Sequence, residues 1–381
     1  VGVTVLNVTT HSIPTAALSA RLDRARAATA AAGLDALLVS PGPDLRYLTG
    51  YDAIPLERLT LLVLPVNGEP ALIAPHLEVA AALASPVGEL GISVIDWHET
   101  DNPYDLVSGL VGTAEAVAVD DHMWAVKALN IVDALPLTHV RAAGSVLGGL
   151  RAIKDAAEVE ALVRAGAAID SVHAQVAGLL RPGRTEREVG RDIAELILAA
   201  GHVSVDFVIV GSGPNGASPH HELSDRVLQA NEPVVVDIGG TMPDGYCSDS
   251  TRTYAIGDVG DEYRGYYATL HAAQAAGVAA AQVGIACAEV DAITRKIMVD
   301  GGIGEYFIHR TGHGIGLETH EDPYIVETNA TPMQVGMAYS VEPGFYLSGR
   351  FGARIEDIVV LTADGPKSVN HSPHELVVVD A

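Results

Sequence analysis

Cysteine is almost absent from the 381 residues: only Cys247 and Cys287 occur, too far apart to make a thiol motif. No disulfide framework is implied, and a reducing cytoplasm is the natural compartment. Positive charge is scarce as well, with 23 Lys and Arg against 48 Asp and Glu and a net charge of −25. Without a basic face to displace counterions from phosphates, a nucleic-acid partner is excluded. The acidic surplus reads as a well-solvated surface. No apolar run approaches the roughly 20 residues that cross a bilayer. The N-terminus also lacks the basic and apolar segments of a secretory leader. These absences lead to the expectation of a soluble intracellular protein, long enough for two domains with a core each.

Along the chain, Pro14–Gly33 has a helical pattern closed by Gly33. Leu34–Ser40, Leu59–Val66, Ala71–Ala74, Ile92–Trp97 and Ala116–Asp120 are short apolar runs that predict strands, with helical segments between them. Asn67-Gly68 predicts a type I′ hairpin between the second and third. An α/β domain over 1–141 follows. His76, His98, His122 and His139 are scattered through it without metal-like spacing and read as ordinary surface histidines. Residues 142–152, beginning AAGSVLGG, read as a linker, and 153–381 as a second domain.

In that domain Lys154–Leu180 is a long helical pattern with Glu158, Glu160 and Arg164 on its polar side. Arg181-Pro182-Gly183 stops it, and Thr185-x-x-Glu188 is a capping box for a helix ending at Gly201. The unit recurs: Glu262–Val283 is helical, Gly284 breaks it, and a second helix reaches Asp300 before Gly301-Gly302. At an offset of 101 residues Gly183 falls on Gly284, Glu188-Val189 on Glu289-Val290, and Gly201 on Gly302. Two related halves are predicted.

An acidic hairpin follows each helix pair. Val234–Tyr254 (VVVDIGGTMPDGYCSDSTRTY) reads as two strands about a Pro-Asp-Gly turn, bringing Asp237 and Asp249 together. Ser340–Glu356 reads as another, with its turn at Leu347–Gly352, a return strand over Gly352–Ile358, and Glu342 and Glu356 on its arms. Between them, TGHGIGLETHEDP sets His313 among glycines that let backbones approach and leave its imidazole accessible. Bare carboxylates this close repel unless a cation lies between them. Four carboxylates and one imidazole suit two harder divalent cations, Mn2+ first, with Co2+, Fe2+ or Zn2+ as alternatives. Such a pair can share a hydroxide and bring its pKa toward neutrality. Singly, each residue has a bland reading as an Asx turn or a packed loop histidine. The ordered set is what points to a site.

That set resembles the signatures of the M24, or pita-bread, metallopeptidases: DIGG…YCSDSTRT, TGHGIGLETHEDP, SVEPG and RIED. Gly33–Tyr51 (GLDALLVSPGPDLRYLTGY) is similar to the N-terminal domain of the prolidase, aminopeptidase P and creatinase branch, so the resemblance spans the chain. Methionine aminopeptidases lack that domain, and creatinases lose the metal ligands, all five of which are kept here. The resemblance implies an α/β (α+β) fold, a creatinase/prolidase-like domain followed by a pita-bread domain with pseudo-twofold αβ halves. It implies that Asp237 binds one metal, that Asp249 and Glu356 bridge two, and that His313 and Glu342 complete the second site. Glu342 is implied as the proton acceptor and shuttle for the attacking hydroxide. His320, seven residues after His313, is implied to steady the tetrahedral intermediate. His309 and His220 are implied as substrate-binding histidines, and Arg354 as the partner that orients an acidic ligand. His221 reads as a bystander and Cys247 as a packing residue.

GHGIGL is closer to prolidases than to the SHWLGL form of bacterial aminopeptidase P. The expected activity is hydrolysis of Xaa-Pro dipeptides by a cytoplasmic homodimer whose partners are small peptides, not nucleic acid or membrane. The alternatives are an aminopeptidase P acting on longer peptides and a non-catalytic pita-bread binding module. One departure from the family pattern remains. Asp237 and Asp249 are twelve residues apart, one more than expected, which predicts a longer Thr241–Gly245 turn or a bulge.

Overall fold

The computed structural model describes residues 13–381. The N-terminal segment read above for a leader lies outside the described residues. The chain divides between Arg151 and Ala152 into two compact units. Among the described residues no helix is long and apolar enough to cross a membrane.

The first unit holds helices α1 (Thr15–Ala31), α2 (Pro43–Thr49), α3 (Val79–Ala84), α4 (Pro103–Val111) and α5 (Ala125–Ala134). Its strands are β1 (Ala36–Val39), β2 (Leu61–Pro65), β3 (Ala71–Pro75), β4 (Ser93–Trp97), β5 (Ala116–Val119) and β6 (His139–Ala142), in the order β4-β3-β2-β1-β5-β6. Every residue of β1 is buried, as in a central strand covered on both faces. β2 and β3 pair antiparallel as expected, but not through a two-residue turn, because the last pair is Val63 with Ala71. A type I′ turn needs positive φ at both central residues, and Asn67 does not have it. Pro65 and Pro70, at either end of the loop, cannot donate to the ladder.

The stretch read as a linker is ordered structure. β6 ends at Ala142, and α6 (Gly144–Ala152) follows with Val146 and Leu147 buried. Gly144 N–H bonds Asp121 Oδ1 at 2.8 Å, and a Cβ there would collide with the same carboxylate. Small side chains serve close packing here, not flexibility.

In the second unit α7 (Ala156–Val176) and α8 (Glu186–Ala199) both start at capping boxes, Asp155 with Glu158 and Thr185 with Glu188. Glu158, expected on the polar side, is buried because it closes its box and accepts from Tyr246 Oη at 3.0 Å. Then come β7 (Ser204–Ser212), β8 (Glu232–Thr241), β9 (Cys247–Ile256), α9 (Gly260–Ala280) and α10 (Cys287–Asp300). The remaining strands are β10 (Gly312–Gly314), β11 (Glu321–Ile325), β12 (Ala338–Val341), β13 (Gly344–Leu347), β14 (Phe351–Arg354), β15 (Asp357–Thr362), β16 (Gly365–Ser368) and β17 (Val377–Val379). One sheet runs β17-β9-β8-β7 and another β11-β10-β12-β15-β16, while β13 and β14 pair with each other.

Twice, therefore, two helices precede a largely antiparallel sheet. The repeat reaches individual bonds: Gly183 N–H donates to Leu228 O, and Gly284 N–H to Met333 O. Thr185 and Ala286, related by the same offset, each make an isolated bridge. Within each half the helices cover one sheet face. Val234, Val236 and Ile238 of β8 pack with Val172 and Val176 of α7 and with Val189 and Ile193 of α8. Each such side chain contributes about 1.5–3 kcal/mol, enough to pin the register. Alternation then turns Asp237 to the opposite face. Tyr339 and Val341 of β12 pack with Val290 of α10, leaving Ser340 and Glu342 opposite.

Candidate metal centre

Ten unbroken pairs join β8 to β9, among them Asp237 with Thr251 and Gly239 with Asp249. Asp237 and Asp249 are thus diagonal neighbours on one face. The extra residue of their spacing makes no bulge between them. It lies in the loop 242–246, where Met242 N–H bonds Tyr246 O at 2.9 Å and Gly245 takes φ 93°. The bulge of this sheet falls between β7 and β8, at Val205–Phe207.

The second hairpin departs from its sequence pattern. β12 pairs with β15 and β13 with β14, so the expected continuous return strand is interrupted. Glu342 and Glu356 occupy the two breaks because their N–H groups leave the ladder. Glu342 donates to Thr311 O (2.8 Å) and Glu356 to Thr251 O (3.1 Å), and Pro343 has no N–H to give. These bonds tie the glutamates to the segments that bear His313 and Asp249.

His313 is the middle residue of β10. A Cβ on Gly312 would collide with Ser340 O, and one on Gly314 with Asp322 O, so close backbone approach requires both glycines. That approach buries the imidazole to 2% exposure, contrary to the expected accessibility. His313 Nδ1 faces the Gly314 carbonyl at 3.1 Å. A carbonyl only accepts, so Nδ1 bears a proton, and Nε2 is the ring atom turned toward the carboxylates. Nε2 lies 3.2 Å from Glu342 Oε1 and 3.6 Å from Asp249 Oδ2.

Donor atoms of Asp237, Asp249 and Glu356 lie within 4.8 Å of one another, as do those of His313, Glu342 and Glu356 and those of Asp249, His313 and His320. Burial, then the charges of Glu356, Asp237 and Glu342, pushes the Asp249 carboxyl well above its ordinary range. Burial, then Glu342 and Asp237, does the same to Glu356. Burial also works upward on Glu342, but the hydrogen bond and charge of His313, with His309 and Arg354, hold it at about 2. Taking such anions out of water costs on the order of several kcal/mol each unless they are paired. Asp237 Oδ1 and Glu356 Oε1 are buried with no hydrogen-bond partner, an uncommon state for buried oxygens. Open carboxylate lone pairs beside one imidazole fit divalent cations.

Behind these carboxylates, Arg354 donates to Asp237 Oδ2, to Tyr346 Oη at 2.7 Å and to Thr251 Oγ1 at 3.0 Å. Thr251 in turn donates to Glu356 Oε2 at 2.8 Å. His309 Nε2 lies 2.9 Å from Tyr346 Oη, so His309 reaches Asp237 through Tyr346 and Arg354. His220, His309 and His320 line a cleft of about 1210 Å³ together with Phe207, Ile308 and Arg310. The His320 ring stands T-shaped to His313, centroids 4.0 Å apart. Burial, then the charges of His313 and Arg310, brings His320 down to about 4, which keeps it neutral near pH 7.

His221 is more than a bystander. Its Nε2 lies 2.7 Å from Oε2 of Glu186, a fully buried residue in the first turn of α8. Glu186 also accepts from Ser212 N–H and Oγ, Asn215 Nδ2 and Ser224 Oγ. One carboxylate thereby clamps the segment that bears His220. Neither Glu186 nor Tyr346 stands out in the sequence. Only tertiary contacts distinguish them.

Residues 160–363 match the family model of metallopeptidase family M24, and residues 21–153 that of the creatinase/prolidase N-terminal domain. The chain is 54% identical to a probable dipeptidase PepE of Mycobacterium tuberculosis, over 94% of this chain and 96% of that protein. It is 36% identical to an Xaa-Pro dipeptidase of Lactobacillus delbrueckii subsp. lactis, over 91% and 95%. The crystal structure of dipeptidase PepE from Mycobacterium ulcerans matches the fold with a TM-score of 0.93 at 54% identity, covering 97% of this chain and 100% of that one.

Proposed function

The chain belongs to metallopeptidase family M24, and from that premise we propose that it is a two-metal exopeptidase hydrolysing Xaa-Pro dipeptides. The observation that carries this reading is the convergence of Asp237, Asp249, His313, Glu342 and Glu356 around two carboxylate oxygens left without partners. The substrate class follows from relatives called dipeptidase and Xaa-Pro dipeptidase. Asp237, Asp249 and Glu356 would hold one ion, and His313 and Glu342 the other with Asp249 and Glu356 shared. Mn2+ suits so oxygen-rich a set. The ions, when bound, supply charge neutralisation and the Lewis acidity that makes water a nucleophile near neutral pH.

The chain's own residues do the rest. Glu342, with the Arg354 cation nearby favouring its ionised form, takes the proton of the attacking water and passes it to the prolyl nitrogen as the C–N bond breaks. His320, neutral at pH 7, donates its N–H to the developing oxyanion. His220 and His309 bind substrate from the cleft wall, and Arg354 orients Asp237. The scissile imide has no N–H of its own to bond, so recognition falls on the carbonyl and the chain ends.

Cleft size favours a second reading. About 1210 Å³ exceeds the roughly 300–1,000 Å³ of most small-molecule sites and would accept the longer peptides of an Xaa-Pro aminopeptidase. In the preferred reading a homodimer narrows the cleft with the partner's N-terminal domain. The compartment is the cytoplasm, where free thiols such as Cys247 and Cys287 stay reduced. A length series of Xaa-Pro-(Xaa)n peptides separates the two readings: cleavage confined to the dipeptide supports the first, and faster tripeptide cleavage the second.

A further inference from the structure

Three metal-ligating side chains meet on the surface of the first unit, brought together by strand register. β3 and β4 run parallel with Ala74 opposite Asp96 and Pro75 opposite Trp97, so one step further His76 comes opposite His98. Trp97 turns into the core and donates its indole N–H to Leu59 O at 2.9 Å. By the two-residue period Asp96 and His98 then share the outer face. There His76 Nδ1 lies 2.6 Å from Asp96 Oδ2, and His98 Nε2 lies 4.0 Å from the same oxygen. The two imidazoles stand 4.5 Å apart between centroids, tilted by 33°. One ligand atom from each of the three residues lies within 4.8 Å of the others. An ordinary hydrogen bond accounts for His76 and Asp96. It does not account for the orientation of His98, whose hydrogen bonds run through its backbone to Asp101.

We propose that His76, Asp96 and His98 form a peripheral metal site for a borderline first-row dication of the Zn2+, Ni2+ or Cu2+ class. Nitrogen and oxygen donors sit ~2.0–2.2 Å from such an ion and hence ~3–3.5 Å from one another. The pairs at 2.6 and 4.0 Å bracket that spacing. The side chains are 63%, 47% and 62% exposed, so rotation about their own bonds closes the difference, with water in the remaining position. Two imidazoles and one carboxylate form a softer set than the carboxylate-rich centre of the second unit, and the two sites therefore rank ions differently. Full solvent access makes the peripheral ion exchangeable, and its loss leaves the fold intact.

The test is calorimetric titration of the Mn2+-loaded full chain with Zn2+, beside the double variant His76→Gln/His98→Gln. The wild type is expected to take up one Zn2+ per chain more than the variant. The ring nitrogens of His76 and His98 should shift in 1H–15N spectra of the wild type as that equivalent is added. Peptide hydrolysis by the two Mn2+-loaded proteins should be equal. Exchange at the catalytic centre is common to both and cancels. Equal zinc uptake by the two proteins, or uptake that leaves both ring signals unmoved, would overturn the site.

Discussion

Glu186 gathers bonds from Ser212, Asn215, His221 and Ser224 onto one buried carboxylate. Burial pushes its pKa up, and the bonds from Ser224, Ser212 and His221 outweigh that and hold it below its ordinary range. Those donors lie on the segment bearing His220, so the proposed substrate role of His220 gives Glu186 an effect through position, not contact. Glu186→Gln is expected to raise the KM for dipeptide about tenfold, the worth of one charge-assisted bond at ~1.5 kcal/mol, with kcat and metal content nearly unchanged. Steady-state kinetics and metal analysis check this; an unchanged KM beside a lowered denaturation midpoint would leave Glu186 only a structural role. Asp249 gives a prediction of opposite sign with and without metal. Without ions its carboxyl ionises less readily folded than unfolded, where Asp titrates near ~3.9. The folded state then holds the extra proton, so the cost is absent in acid and grows as pH rises past the unfolded value. At pH 7 metal-free Asp249→Asn should melt a few degrees above the metal-free wild type. Added Mn2+ should reverse the order, since only the wild type gains the full binding energy. Melts with and without chelator read both signs, and a variant less stable in both states contradicts the cluster. The convergence of Asp237, Asp249, His313, Glu342 and Glu356 was legible because glycine- and proline-marked motifs flank them. Thr251, Tyr346 and Glu186 were not, because their roles exist only in contacts between distant segments.

Among the elements, the β8–β9 hairpin could be read from its two-residue alternation, and the structure puts its extra residue harmlessly in the loop. The second hairpin could not, because its breaks follow from where the N–H groups of Glu342 and Glu356 go, which side-chain patterns do not encode. Register is equally silent: His76 and His98 are neighbours only because β3 and β4 run parallel. The small residues before α6 have the composition of a linker and the job of a packing surface. α7 and β9 are joined through His173, whose Nδ1 lies 3.1 Å from Tyr254 Oη and Nε2 3.1 Å from Ser250 O. Burial, then the charge of Arg252, lowers its pKa to about 3, against about 6.5 unfolded. The unfolded chain therefore binds the extra proton between those values. This stability is complete above about pH 6.5 and is lost toward about pH 3, by about 1.4 kcal/mol per unit. Unfolding free energies at pH 7.5 and pH 5, from denaturant titrations, should differ by about 2 kcal/mol more in the wild type than in His173→Gln, and parallel pH curves for the two proteins would contradict the assignment.

At the scale of the whole molecule, both domain types and the doubling of the catalytic one were legible, since helix stops and caps recur at a fixed offset. The length of peptide accepted was not, because cleft size is set by contacts between distant segments such as 206–209, 218–223 and 308–320. A net charge of −25 adds a field that draws cations toward the carboxylate centre, so metal dependence and substrate length are the two properties to measure together. The most direct measurement is kcat/KM of the Mn2+-loaded chain for an alanyl-proline dipeptide and for the same peptide extended by one C-terminal alanine, repeated after chelation. The expected result is dipeptide cleavage at least about tenfold more efficient than tripeptide cleavage, a difference of ~1.4 kcal/mol in transition-state binding, with both abolished by the chelator and restored by Mn2+. Dipeptide cleavage that survives chelation, or a tripeptide cleaved as efficiently as the dipeptide, would contradict it.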